Sequence, residues 1–129
     1  MIPKLWADQT LSAINYLRSC PSLAGVTFTR TKQKDKPRQV VVDTEPQQLE
    51  TPVSRRVSIL LESWVARDNA TADTAASFAL MSLVLYELQR APSMLPAVVR
   101  FDTPVGPRAE KDQGSFEYHE GSLVWVVSE

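Results

Sequence analysis

The strongest helical pattern lies between Thr71 and Arg90, TADTAASFALMSLVLYELQR. Ala72, Ala76, Ala79, Leu80, Leu83, Val84 and Glu87 share one side, and Ala75, Phe78, Met81, Leu85 and Leu88 cover most of the rest. Asn69 or Thr71 can supply the N-cap oxygen, and Asp73 suits the positive end of the helix dipole. Arg90 falls in the last turn, and Pro92 ends the pattern. About 20 residues at 1.5 Å rise make a rod of roughly 30 Å. A rod apolar around so much of its circumference is expected to be buried on more than one side. Part of it faces the chain's own sheet; the rest lies under another helix or meets another subunit.

Residues 4–19 predict a first helix, with Trp6, Leu11, Ala13, Ile14 and Leu17 on its dry side and Pro21 beyond its end. Residues 26–31 (VTFTRT) and 39–44 (QVVVDT) alternate as short strands, and the polar KQKDKPR between them makes the pair read as a hairpin. Residues 45–54 carry Pro46 and Pro52 without periodicity and read as a mobile loop. Residues 55–66 (RRVSILLESWVA) are the clearest strand, with Val57, Ile59, Leu61 and Val65 on one face and Ser58, Leu60, Glu62 and Trp64 on a mixed one. After the long helix, 97–102 is a strand and 103–114 a surface loop. Residues 116–127 alternate again, and Glu120-Gly121-Ser122 is either a turn or a bulge. The order α-β-β-β-α-β-β predicts one α/β (α+β) domain over residues 1–129. Its mixed, mostly antiparallel sheet has four to six strands, with two helices on one face.

Composition narrows the chemistry. Hydrophobic residues make up 43% and charged residues 22%, as in ordinary globular chains. Cys20 is the lone cysteine, which excludes an intramolecular disulfide and any multi-cysteine metal site; it reads as a small apolar filler. The opening residues do not read as a leader, and no apolar run reaches the 18 residues of a membrane span, so a soluble, intracellular chain is expected. On that expectation, the Asn69-Ala70-Thr71 acceptor pattern is incidental. Four glycines provide no phosphate cradle. His119 reads as a half-exposed strand residue, and nothing near Cys20 would expose it as a nucleophile. Neither Asp43 with Glu45 nor Glu117 with Glu120 has the clustering of a metal site. The expectation is a protein without catalytic residues, metal or cofactor.

One polar feature stands out. Arg30, Lys32, Lys34, Lys36 and Arg38 occupy alternate positions, with Asp35 as the only acid among them. Five basic residues and one acid give this stretch +4 in a chain of total charge -1, leaving -5 for the remainder. If 26–31 and 39–44 form a hairpin with Phe28 opposite Val40, Lys32 faces Lys36 and Arg30 faces Arg38, which is destabilising. A frayed, solvated tip would avoid the repulsion. So would contact with nucleic-acid phosphates, or docking on an acidic face of an identical neighbour, whose acids include Asp43, Glu45, Glu50, Asp102, Glu110, Asp112, Glu117 and Glu120. A basic projection meeting an acidic face of the next copy is a head-to-tail contact, which can close into a ring. No aromatic residue interleaves with the basic ones, as single-strand binding would favour.

The opening helix, the VTFTR…RQVVVDT pair, the RRVSILLESWVARDNATADTAASFALMSLVLYEL strand-turn-helix and the FDTP…DQGSFEYHEGSLVWVVS end together resemble the tail terminator proteins of long-tailed bacteriophages. The resemblance spans nearly the whole chain and lies in element order and spacing. Head-closure and other tail-completion proteins share similar architecture. It implies a structural role: a ring, commonly of six subunits, at the head-proximal end of the virion tail. Such a ring stops polymerisation of the tail tube protein and joins the head-tail connector or head-closure protein. DNA passes through its lumen on ejection. It also implies assembly in the bacterial host cytoplasm, no membrane partner and no catalytic residues. On this basis Arg30, Lys32, Lys34, Lys36 and Arg38 are expected at a subunit boundary or the lumen. The segment holding Glu45, Gln47, Gln48 and Glu50 is expected to order on assembly. The alternatives are a head-closure adaptor, a nucleic-acid-binding accessory protein using residues 30–38, or a small adaptor that never self-associates.

Overall fold

The computed structural model describes residues 9–33, 36–51, 53–66, 74–109 and 116–128. In chain order these form α1 (Gln9–Arg18), a single 3-10 turn (Pro21–Leu23), β1 (Thr27–Thr29), β2 (Arg38–Thr51), β3 (Ser54–Ala66), α2 (Thr74–Gln89), α3 (Ala91–Met94), β4 (Val98–Ala109) and β5 (Phe116–Ser128). The strands make one five-stranded sheet in the order β1-β2-β3-β5-β4. All pairs are antiparallel except β1 with β2. The helices cover one face, so the fold class is the mixed, mostly antiparallel α+β sheet that the sequence predicts.

Alternation along β3 makes it the middle strand. Val57, Ile59 and Leu61 are buried on the helix side and meet Trp125, Leu123 and Gly121 of β5. Val42 and Val40 of β2 complete that side opposite Leu61 and Ser63. α2 lays Ser77, Leu80, Met81, Val84, Leu85 and Leu88 onto it. The approach is close at Gly121, where a Cβ would lie 2.8 Å from the Met81 sulfur and 3.2 Å from Leu85 Cδ1. Tyr86 points away, and Phe78 sits beside the His119 ring; both remain exposed. α1 packs beside α2 and over β2, burying Ala13, Ile14, Tyr16 and Leu17, and Thr10 shares a hydroxyl contact of 2.6 Å with Thr44.

The end of α2 is tied to both neighbours. Pro92 has no N–H to offer the Leu88 carbonyl four residues earlier. The Trp125 indole N–H supplies one at 3.1 Å, and the Tyr16 hydroxyl donates to the Glu87 carbonyl at 2.8 Å. β5 thus satisfies the carbonyl that the helix end leaves open, and α1 adds a second donor to the Glu87 carbonyl, which also accepts the Arg90 N–H at 3.1 Å. The two rings also meet edge to face, with centroids 6.2 Å apart and planes at 75°.

Five expectations are corrected. β1 and β2 are not a hairpin: they pair in parallel, Thr27 with Gln39, Phe28 with Val40 and Thr29 with Val41. Alternation assigns residues to a face but is blind to strand direction, so the Phe28–Val40 pairing was legible and its sense was not. Residues 45–51 are not a loop but the continuation of β2, with register shifts between Pro46 and Leu49 and between Leu49 and Thr51. Likewise 103–109 extends β4, which passes Pro104 and Pro107 through register shifts between Asp102 and Val105 and between Val105 and Arg108. In both cases the bulges hide the two-residue period. His119 is buried, not half-exposed. Residues 116–128 form one strand in unbroken register with β3, so 120–122 is neither turn nor bulge on that side. The expected caps Asn69 and Thr71, the start of the first helix, and residues 110–115 lie outside the described residues.

Trp125→Phe keeps a ring of similar shape but leaves the Leu88 carbonyl without the indole donor. Denaturant unfolding is expected to show a loss of about 1–3 kcal/mol. Unchanged stability would contradict this account of how α2 ends.

Candidate functional site

Gln39 organises the basic stretch. Its side chain is fully buried. Its Oε1 accepts from the Gln33 N–H at 2.8 Å, and its Nε2 donates to the Gln33 and Lys36 carbonyls at 2.7 and 3.2 Å. The Ala66 N–H closes the other side on the Pro37 carbonyl at 2.7 Å. The described part of the β1–β2 connection is therefore held in place, unlike a frayed tip. Arg30, Lys32 and Arg38 are exposed, Lys36 is half-buried, and Lys34 lies outside the described residues. Because β1 and β2 run parallel, the opposition of Lys32 to Lys36 and of Arg30 to Arg38 does not arise.

Lys32 reaches back over the outer face of the sheet, with its ammonium 4.8 Å from the centre of the Trp64 ring. Trp64 stacks on Tyr118 across the β3–β5 ladder at 4.2 Å and 18°. A cation–π contact of this kind is worth about 0.5–1 kcal/mol, and an aromatic pair about 0.5–1.5 kcal/mol. One step along the same face, Glu62 pairs directly with Glu120. Facing carboxylates repel, and each is met by donors: the Trp64 indole to Glu62 at 3.1 Å, Arg108 to Glu120 at 2.6 Å, and the Tyr118 hydroxyl to Glu120. Burial, and then the bond to Glu120, push the Tyr118 hydroxyl well above its ordinary range. These groups border a depression of about 500 Å³ lined by Val41, Asp43, Leu60, Glu62, Val105 and Arg108, among others. Below it, Arg56 and Arg100 hold Asp102 at 2.7 and 3.3 Å. The Arg56 bond leads in keeping that carboxyl below the usual range.

The missed residues had a signal. Glu62-Ser63-Trp64 and Tyr118-His119-Glu120 are mirror images that an antiparallel register superposes, with both aromatics on the face turned from the core. Of the acidic segment, Glu45 is exposed and Leu49 half-exposed; Gln47, Gln48 and Glu50 lie within β2.

On the helix side, Ser77 bonds the buried His119 ring at Nδ1, and its carbonyl accepts from the Ser63 hydroxyl at 3.0 Å. Phe78 closes on the same ring at 5.9 Å. Cys20 lies at the opposite end of α2, beside Tyr16 and Glu87. Ten helical residues, about 15 Å, separate Ser77 from Glu87, so Cys20 and His119 do not form a dyad. Glu87 is buried and takes Arg90 on both oxygens at 3.1 and 3.4 Å. Among the described residues, no three His, Cys, Asp or Glu side chains gather as a metal would need, and no helix is long and apolar enough to cross a membrane.

Burial first, and then the bond to Glu87, push the Cys20 thiol up to about 11 from 9.0. Burial, and then the charges of Cys20 and Glu87, push the Tyr16 hydroxyl up to about 12 from 10.0. Both protons are kept longer by the folded chain than by the unfolded one. Their contribution is therefore complete below pH 9 and is lost as pH rises through the folded values near 11 and 12. Melting temperature should fall across that window, and less steeply in Cys20→Ala; a flat profile through pH 11 would contradict the burial of this pair.

No protein-family model matches the chain, and no curated protein matches it.

Proposed function

We propose that this chain is a structural subunit of a phage virion, of the tail terminator kind. It assembles with copies of itself into a ring, commonly of six, at the head-proximal end of the tail tube. The observation that carries the reading is apolar surface left uncovered on several sides of one small domain. Phe78 and Tyr86 stand out from α2, Leu11 from α1, Leu49 and Val53 from the β2–β3 end, and Val99 and Val105 from β4. Neighbouring copies in a ring would cover such side chains on more than one side of each subunit. The helix-covered sheet also agrees with the architecture that the resemblance implies.

In this reading the ring ends growth of the tail tube protein and offers its other side to the connector or head-closure protein. DNA crosses its lumen. Arg30, Lys32, Lys34, Lys36 and Arg38 stand at a subunit boundary or at the lumen, on a connection that Gln39 keeps in shape. The role is mechanical, and no bond of a substrate is made or broken.

Electron microscopy of the concentrated, purified chain is expected to show rings with a central opening. The combined substitutions Lys32→Glu, Lys34→Glu and Lys36→Glu should abolish rings while the subunit still melts cooperatively. Rings of normal size from that variant would remove the basic connection from the account. Scattered single subunits from the unsubstituted chain, with tight and steeply salt-dependent DNA binding, would replace the reading with a nucleic-acid accessory role.

A further inference from the structure

A ring of identical copies needs two unlike surfaces on each copy, and the contact between those surfaces rests on the ring reading. The ladders align the outer face of the sheet in rows. One row runs Val41, Glu62, Glu120, Arg108; the next runs Asp43, Leu60, Ser122, Val105; a third runs Glu45, Ser58, Val124, Asp102. At the β2 end two rows finish in the exposed acids Asp43 and Glu45. At the β4 end, arginines stand one row to either side of those acids: Arg108, and Arg100 beside Val126. Their side chains are 69% and 47% exposed while pairing within the chain to Glu120 and Asp102. Asp102, between them, is already met by Arg56. Further along, exposed Leu49 of β2 stands level with Val98 of β4, next to exposed Val99.

These two rims close opposite edges of the sheet. β1 covers β2 only as far as Val41, and beyond it β3 is the one strand paired with β2 among the described residues. The β4 edge is bent by its register shifts and by Thr103, whose φ of 49° is rare for a β-branched residue. Pro104 and Pro107 lack N–H groups there, so a partner would meet this edge through side chains and not through a continued ladder. Joining β2 to β2 would set Asp43 and Glu45 against themselves, and joining β4 to β4 would oppose arginines; both are repulsive. Only the unlike union matches charge with charge. A union of opposite edges is head-to-tail, the kind that closes into rings.

We propose that the β2 rim of one copy, Asp43 and Glu45, docks against the β4 rim of the next, Arg100 and Arg108, with Leu49 against Val99. The occupant of each rim is a second copy of this chain.

The test measures the mass of the full-length chain in solution by light scattering. An acid-side variant carries Asp43→Arg and Glu45→Arg, a base-side variant carries Arg100→Glu and Arg108→Glu, and a third carries all four. Each reversed pair alone should leave single subunits, and the fourfold reversal should restore the assembly. The milder set Asp43→Asn, Glu45→Gln, Arg100→Gln and Arg108→Gln preserves side-chain size if a reversal prevents folding, and should weaken assembly by roughly tenfold or more. Assembly by every variant would overturn this contact and leave the ring intact. So would two dissociated reversals that the folded fourfold variant fails to rescue, since the two sets of charges would then both serve assembly without facing one another. An unsubstituted chain that stays single at every concentration would overturn the ring reading itself, and the contact with it.

Discussion

The last turn of α2 is the constraint on which the rest of the fold depends. Pro92 stops the helix and withholds the N–H that the Leu88 carbonyl would otherwise receive. Trp125 of β5 and Tyr16 of α1 supply the donors to Leu88 and Glu87. One proline thereby fixes where the helix ends, which sheet residue lies beneath it and how close α1 must stand. At the other end of α2, Ser77 is joined to His119 of β5 and Ser63 of β3. Between these polar ties, Met81 and Leu85 close on Gly121, where a Cβ would force both side chains to shift. The helix is held along its length by the two central strands.

That arrangement covers the helix side of the sheet and leaves the other side mixed in character, with charged pairs set among Leu60, Val124 and Val126. Facing carboxylates at Glu62 and Glu120 would repel in isolation. They persist because Trp64, Tyr118 and Arg108 each donate to them, and the stacked rings carry Lys32 above. The basic connection and the acidic strand ends are thus parts of one surface, linked through two aromatic rings.

Much of the fold was legible because burial enforces period. The inward residues Val57, Ile59 and Leu61 of β3, and the apolar face of α2, are given directly by their spacing. Legibility ended where the backbone departs from period or where direction matters. The Phe28–Val40 pairing is the same for either strand sense, and the bonds from Gln39 to Gln33 and Lys36 and from Ala66 to Pro37, which hold the connection for the parallel one, show in no local pattern. Pro46, Pro104 and Pro107 suggested loops, yet the strands absorb them at bulges on edges where a missing N–H is tolerated. The site was half visible. The basic residues announced themselves by charge, but the aromatic pair beneath Lys32 depends on β3–β5 register, which no local pattern encodes.

The described residues bury one core between the helices and the sheet and leave several large apolar side chains exposed. Apolar side chains remain exposed on α1, α2 and both sheet ends, and the two rims of the sheet carry opposite charge. The central claim is that copies of the chain complete one another around an axis. Native mass measurement over rising protein concentration tests this most directly. The account predicts a discrete species at a small whole multiple of the 14.4 kDa subunit, with no ladder of larger forms. A mass of one subunit at every concentration would contradict it.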